Sequence, residues 1–586
     1  MTRTRPSPIH FLASVLEPMP ALESTRSSVL IGRTAATMSE LRPKYFCLLL
    51  SAFCLLLCLL PSAFCFEYRA YWVDTFHTPL GTHHDIDRVI EVAEQSHANA
   101  LFVEVRRRGD SWYLDSKEPL TEVPGVGESD AEGKWTFDPF RYLIEQAHAH
   151  AIQVHAFVII GAVFHGDPLN AIPKDPKHVF LQHVWDATDG RPYSGQQQWA
   201  TRSIPPNAKG TSYGGQRHGE DWYIDLGHPD AATYTIDVLL HLINKYDIDG
   251  IHLDRVRYPE APVDRNGGAN VGYNAVSVAR FKARYGDQAK LNDNGFPRSN
   301  DPLWNQWRRD QVTQFVRRLY LHATAMKPSI VVSAALVAWS SGPGHSGGFH
   351  ETDAYNHVFQ DWDGWLREGI IDLASPMLYK REHVARERAQ FDDWLKFTTT
   401  AAHENGRLAI AGIGAYMNGI EGTLRQGRRA RKAGADGILM FAVGDTAPWT
   451  TADNSTNTAL RRNPYSLYAP GKFTPKHPNE DFAAAVSSGR DANGKLRFEN
   501  SRAPIFSQST APPAKIPSAL GSVMGYTHQD GATITIESTD VNRTTTTDGS
   551  GFYGFLGLPP GEYRIEGCSA RVVADRVSRV DLPCLK

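Results

Sequence analysis

DGIHLD (249–254) reads as a short buried strand that ends on an acid. Ile251 and Leu253 are apolar, His252 alone interrupts them, and Asp249-Gly250 marks the start. The stretch 231–246 before it carries apolar residues at helical spacing. A helix feeding a buried strand is half of a βαβ unit, and the same alternation recurs on both sides. Upstream, YRAYWVD (68–74), ALFVEV (100–105) and QVHAFVII (153–160) are strand-like, with helical patterns at 86–97 and 139–150. Downstream, helical patterns at 276–285 and 303–326 precede strand-like runs at 330–337, 371–377, 408–413 and 437–443. Runs rich in Val, Ile, Leu and Ala between helices indicate a parallel sheet buried on both faces. Eight such units predict an α/β chain, a (β/α)8 TIM-type barrel with insertions. An open doubly wound sheet fits less well, because no Gly-rich phosphate loop follows the first strand.

In such a barrel, chemistry is carried at the C-terminal ends of the strands. Strand one ends in Asp74, and strand two carries Glu104 and runs into RRRGD (106–110). Strand three holds His155; strand four holds His252 and ends at Asp254, followed by Arg255, Arg257 and Tyr258. Later strands lead to Trp339, to Tyr379 and Lys380, to Tyr416 and to Asp445. Carboxylates facing aromatics suit glycoside hydrolysis, in which one carboxyl protonates the leaving oxygen and another attacks or activates water. Asp254 is the leading candidate, because neighbouring arginines favour its ionised form; the alternative is that it pairs with Arg257 to fix the loop. Glu104 and Asp110 are the other catalytic candidates, each with a structural alternative: an inward salt bridge for Glu104, a turn for Asp110. Arg106, His155, His252, Arg257, Tyr258, Trp339, Tyr379 and Tyr416 are the candidate substrate contacts, His155 and His252 reading equally as hydrogen-bonded barrel histidines. No metal site and no cofactor are expected, since the histidines lack ligand spacing.

Lys+Arg number 61 against Asp+Glu 64, so no basic excess points to nucleic acid. A basic start at 38–44, an apolar run at 46–60 and small residues before a cut after Cys65 form a secretory signal layout. The 15-residue apolar run is short for a membrane span. The expectation is export to the periplasm, cell surface or exterior, with signal 38–65 removed, residues 1–37 an upstream extension and no membrane span left. Four of six cysteines then leave with the signal, and Cys568 and Cys584 remain to form one disulfide.

Residues 66–462 are read as the barrel domain and 463–517, rich in Pro and Ser, as a linker with a short helix near 481–487. Residues 518–586 show short alternating strands between Gly/Pro turns, a small β-sandwich.

FVEVRRRGD (102–110), VHAF (154–157), WYIDLGHP (222–229), DGIHLDRVRYP (249–259) and SPMLY (375–379) together resemble the glycosyl hydrolase-like 10 family, the DUF187 group. The resemblance spans roughly 66–450. It implies a (β/α)8 barrel, an exported bacterial glycosidase-like enzyme, and Asp254 and the Arg-Gly-Asp loop as active-site parts. Some relatives act on peptidoglycan glycan strands, so the expected partner is such a strand or another polysaccharide. The chain departs from the pattern at Arg255, where many relatives have Asp, at Glu104, where Gln is common, and at VII (158–160), where Asn-Pro-Tyr is usual. TDGSGFY (547–553) with LPPGEY (558–563) resembles the carboxypeptidase regulatory-like, prealbumin-type domain, which implies an accessory module. The leading functional reading is an exported glycoside hydrolase; the alternative is an inactive carbohydrate-binding barrel, suggested by Arg255.

Overall fold

The computed structural model describes residues 67–204, 210–264, 267–443, 478–488 and 504–583. The expected signal 38–65, its upstream extension, Asp445 and Cys584 lie outside the described residues.

Eight parallel strands form the barrel: β1 (Tyr68–Val73), β2 (Ala100–Arg106), β3 (Gln153–Ile159), β4 (Gly250–Asp254), β5 (Val331–Leu336), β6 (Leu373–Pro376), β7 (Leu408–Ala409, continuing as Ala411–Gly414) and β8 (Gly437–Phe441). They pair in the order 7-6-5-4-3-2-1-8-7. The first piece of β7 pairs with β6 and the second with β8, so the ring closes. Strand period two divides each strand between two cores. Tyr68, Ala70, Trp72, Phe102, Phe157 and Leu439 fill the lumen. Tyr71, Val73, Leu101, Val103 and Val105 face the surrounding helices.

Those helices are α1 (His83–Gln95), α2 (Pro139–Ala149), α3 (Pro229–Lys245), α4 (Ala275–Tyr285), α5 (Pro302–Met326), α6 (Trp362–Glu368), α7 (Ala385–Glu404) and α8 (Gly419–Lys432). Their starts are encoded locally. Thr82 and Asp85 form a reciprocal capping box on α1, and Asp301 caps α5 just before Pro302. α1 then buries Ile86, Val89, Ile90 and Ala93, one stripe at helical spacing.

The C-terminal strands are β9 (Gly521–Tyr526), β10 (Thr533–Glu537), β11 (Asn542–Thr546), β12 (Phe552–Leu558), β13 (Gly561–Ile565), β14 (Cys568–Val572) and β15 (Val577–Arg579). They form two sheets, 12-9-15 and 11-10-13-14, around Val523, Ile536, Phe555 and Ile565. This β-sandwich packs on the barrel's outer helices. Met524, Phe552 and Leu556 join the barrel's hydrophobic cluster, and Arg280 and Arg284 both pair with Asp530. α5 is therefore buried on more than one side, which explains why its apolar residues form no single stripe.

The stretch read as a linker contains the expected helix, α9 (Pro478–Ser488). Over 504–517 it lies against the N-terminal floor of the barrel. Its backbone carbonyls accept from Asn99 and Gln153 side chains and the Tyr68 hydroxyl. Lys515 donates to the Ile330 carbonyl at 2.9 Å and sits 3.1 Å from Asp372. An extended Pro-rich segment has free carbonyls, and here the donors of the floor engage them. Among the described residues no helix is long and apolar enough to cross a membrane.

Candidate active site at the barrel mouth

The parallel register sorts the inward residues by depth. Phe102, His155, Gly250 and Val331 share one rung; Glu104, Phe157, His252, Ser333 and Leu373 share the next inward rung; Ile159 and Asp254 lie above them. Chemistry-bearing side chains that look alike in the sequence thus occupy a floor, a middle layer and a mouth.

His155 belongs to the floor. It is fully buried, stacks on Phe102 at 4.4 Å and lies edge-on to Tyr68. Burial pushes its pKa down to about 4, so the ring is neutral. Gly250 makes room for it: a Cβ there would sit 2.2 Å from the His155 Nδ1. His252 is one layer up and also fully buried. Trp72 Nε1–H donates to its Nε2 at 3.0 Å, which leaves the proton on Nδ1, 2.9 Å from Ser333 Oγ. Burial holds its pKa well below the ordinary histidine value. The sequence leaves both histidines open between substrate contact and hydrogen-bonded barrel residue; the structure packs both beneath the mouth.

Arg106 departs from its reading as a substrate contact. Strand alternation predicts that it points inward, but the β2–β3 register shifts between Glu104 and Arg106. That bulge turns Arg106 outward, where it makes a buried two-pronged pair with Glu118 at 2.7 and 2.8 Å and donates to the Ile159 carbonyl. It ties β2 to β3. Tyr258 is likewise buried, donating to Asp225 Oδ1 at 3.1 Å, and anchors the loop after β4 to the large insertion.

Glu104 stays inward, 1% exposed. Its Oε2 accepts from the Thr75 backbone N–H at 2.7 Å and the Thr75 hydroxyl at 2.6 Å. Its Oε1 is buried with no hydrogen-bond partner among the described residues. Burial, opposed by the Thr75 bonds and reinforced by the charge of Asp74, pushes its pKa up to about 7. Asp74 is occupied with its own turn, accepting from the Phe76 and His77 backbone N–H groups. Among the described residues Glu104 makes no salt bridge to Arg106, which faces the other way and pairs with Glu118, nor to Arg257, which lies over Trp339.

Asp254 ends β4 at the mouth, half-buried. The residues flanking it direct their hydrogen bonds elsewhere. Arg255 adopts a left-handed backbone, φ 50°, and donates to Asp221 Oδ2 and the Tyr223 hydroxyl, both at 2.8 Å. Arg257 lies over Trp339 at 5.0 Å. Asp254 and Arg257 nevertheless feel each other's charge. Two strand spacings and two residues of rise separate the Cα atoms of Glu104 and Asp254, roughly 12 Å, and both positions have inward parity. An aromatic wall closes one side. Tyr379 meets Trp72, Phe441 and Tyr416 at 6.1, 5.7 and 6.1 Å, and the charges of Asp254 and Asp74 reach its hydroxyl.

Asp110 is placed apart. Gly109 turns the chain at φ 84°, against Val179 and His178, and Asp110 Oδ1 accepts the Arg108 backbone N–H at 3.1 Å. It lines a cavity of about 260 Å³ with Arg107, Arg108, His165 and His178. The structure therefore brings together Glu104, Asp254, Arg257, Trp339, Tyr379 and Tyr416 around the mouth and leaves Arg106, His155, His252 and Tyr258 in the packing. It adds Thr75 and Trp72, which no motif flagged. The only signal for Thr75 was its place one residue past the first strand-end acid.

The model of the glycosyl hydrolase-like 10 family matches residues 67–417. A glycosyl hydrolase of Bacillus subtilis, YngK, is 21% identical over 299 residues, 50% of this chain and 48% of that one. The glycosyl hydrolase DigH of Escherichia coli K12 is 19% identical over 336 residues, 55% of this chain and 63% of that one. The chain thus spans about half to under two thirds of the length of these relatives. Among solved structures, the PgaB (BpsB) glycoside hydrolase domain of Bordetella bronchiseptica matches with TM-score 0.42 and 14% identity, covering 68% of this chain and 99% of that one. The catalytic domain of β-amylase from Paenibacillus polymyxa matches with TM-score 0.41 and 12% identity, covering 66% and 95%.

Proposed function

Because the chain belongs to the glycosyl hydrolase-like 10 family, we propose that it hydrolyses O-glycosidic bonds of a bacterial cell-wall or extracellular polysaccharide. The observation that carries this reading is Glu104, a buried carboxyl with a pKa near 7 and one bare oxygen below a carboxylate-bearing barrel mouth. A general acid must hold its proton at working pH and release it as the leaving oxygen departs. Glu104 has that property; Asp254, among charged arginines and open to the mouth, is the partner that stabilises the oxocarbenium-like charge or activates the nucleophile. Trp339, Tyr379 and Tyr416 offer faces to sugar rings. The relatives named glycosyl hydrolases accord with this. Arg255 supports a second reading, a barrel that binds glycan without cleaving it.

Reducing-end release from denuded peptidoglycan glycan strands and from a panel of neutral and acidic polysaccharides separates the two. Release that disappears in Glu104→Gln establishes hydrolysis; binding with no release establishes the second. We propose further that the protein is exported with 38–65 removed, on the layout of that segment. N-terminal sequencing of the secreted protein should start at Phe66, and a start upstream of Met38 would contradict it.

A further inference from the structure

The aromatic wall of the mouth continues into a second space. Tyr379 and Tyr416 line a cavity of about 570 Å³ together with Lys380, Arg381, Arg386 and Glu387, a size typical of ligand sites, ~300–1,000 Å³. Its charges do not balance. Arg381 and Glu387 hold each other through the backbone and the guanidinium. Lys380 is only 7% exposed, and among the described residues its ammonium makes one long hydrogen bond, 3.3 Å to the Ser340 carbonyl. The two carboxylates whose charge reaches it are both engaged elsewhere. Glu387 is held by Arg381, and Asp353 by the Ser340 hydroxyl and His357. Arg386 stands at the exposed side of the cavity. A buried ammonium with no carboxylate hydrogen-bonded to it is costly.

We infer that this cavity is a subsite for a carboxylate-bearing sugar, whose acid group pairs with Lys380 while its ring lies along Tyr379 and Tyr416. The inference rests on the glycan-hydrolase reading above and narrows it to an acidic glycan. Burial holds the Lys380 pKa below the ordinary lysine value, and an incoming carboxylate relieves that desolvated charge. The carboxylate can belong to a uronic acid ring or to an ether-linked side group on an amino sugar.

The test is equilibrium binding of four probes to the full chain: a hyaluronan oligosaccharide, a denuded peptidoglycan glycan strand, and each of these after chemical reduction of its carboxyl groups to alcohols. At least one acidic probe should bind about tenfold or more tighter than its reduced form, and which one does so identifies the source of the carboxylate. In Lys380→Met that preference should fall to about twofold or less, with the reduced probe binding as before. Arg386→Ala, on the exposed side where folding is not at stake, should lower the preference about threefold. Equal binding of acidic and reduced probes by the unmodified protein overturns this inference and leaves the hydrolase reading standing. So does a preference that survives in both variants. Binding of none of the four also overturns this inference, and release from the wider polysaccharide panel then decides the hydrolase reading.

Discussion

Replacing Glu104 with glutamine should remove a pH dependence from the stability of the barrel. The carboxyl has a folded pKa of about 7 against an ordinary 4.5. An acid whose folded pKa is raised binds a proton on folding between those two values, so its neutral form favours the folded state. That contribution is fully present below about pH 4.5 and is lost as pH rises through about 7. At about 1.36 kcal/mol per pH unit, the full swing is about 3 kcal/mol. Glutamine keeps an oxygen for the two Thr75 donors and carries no titrating proton. Its amide meets the site where Oε1 has no partner, which adds an offset of ~1–3 kcal/mol that does not vary with pH. The difference in unfolding free energy, variant minus parent, should therefore climb by about 3 kcal/mol between pH 4.5 and 8. Urea unfolding at half-unit pH steps measures it. The same substitution should cost about 10²–10⁴ in kcat/KM on a confirmed substrate, and the parent's activity should fall above about pH 7. A stability difference that stays flat across this range would show that Glu104 ionises normally in the fold, and the assignment of the acid would fall with it.

Asp254→Asn should leave the melting temperature nearly unchanged and slow turnover by several orders of magnitude, more than about 4 kcal/mol; near-normal reducing-end release by the folded variant would shift attention to Asp74. Gly250→Ala should destabilise the barrel by ~1–3 kcal/mol or more, because its Cβ would lie 2.2 Å from a ring already stacked on Phe102. Thermal melting checks this, and an unshifted transition would mean that the His155 layer can move. Cys568, buried at the start of β14, should be disulfide-linked to Cys584, closing a loop worth about 3 kcal/mol to the sandwich. Mass analysis of non-reduced peptides should find the crosslink, and two free thiols would refute it.

The alternation of apolar runs and helical periodicity was enough to predict eight βα units, because a doubly covered strand must be apolar throughout and a covering helix apolar on one stripe. DGIHLD (249–254) placed Asp254 at the open end for the same local reason. Depth and parity were decided only by the tertiary structure. His155, His252 and Asp254 all sit on strands with inward parity, yet the register places them in floor, middle and mouth. One bulge after Glu104 reverses the parity of Arg106, and a bulge leaves no sign in an apolar–polar pattern. The raised pKa of Glu104 comes from burial and from the charge of Asp74, and is held in check by the Thr75 bonds; both residues lie on another strand's end and meet it only when the ring closes. The floor contacts of 504–517 arise the same way. A Pro-rich stretch reads as linker until the donors that match its carbonyls, far away in the chain, are brought beside it.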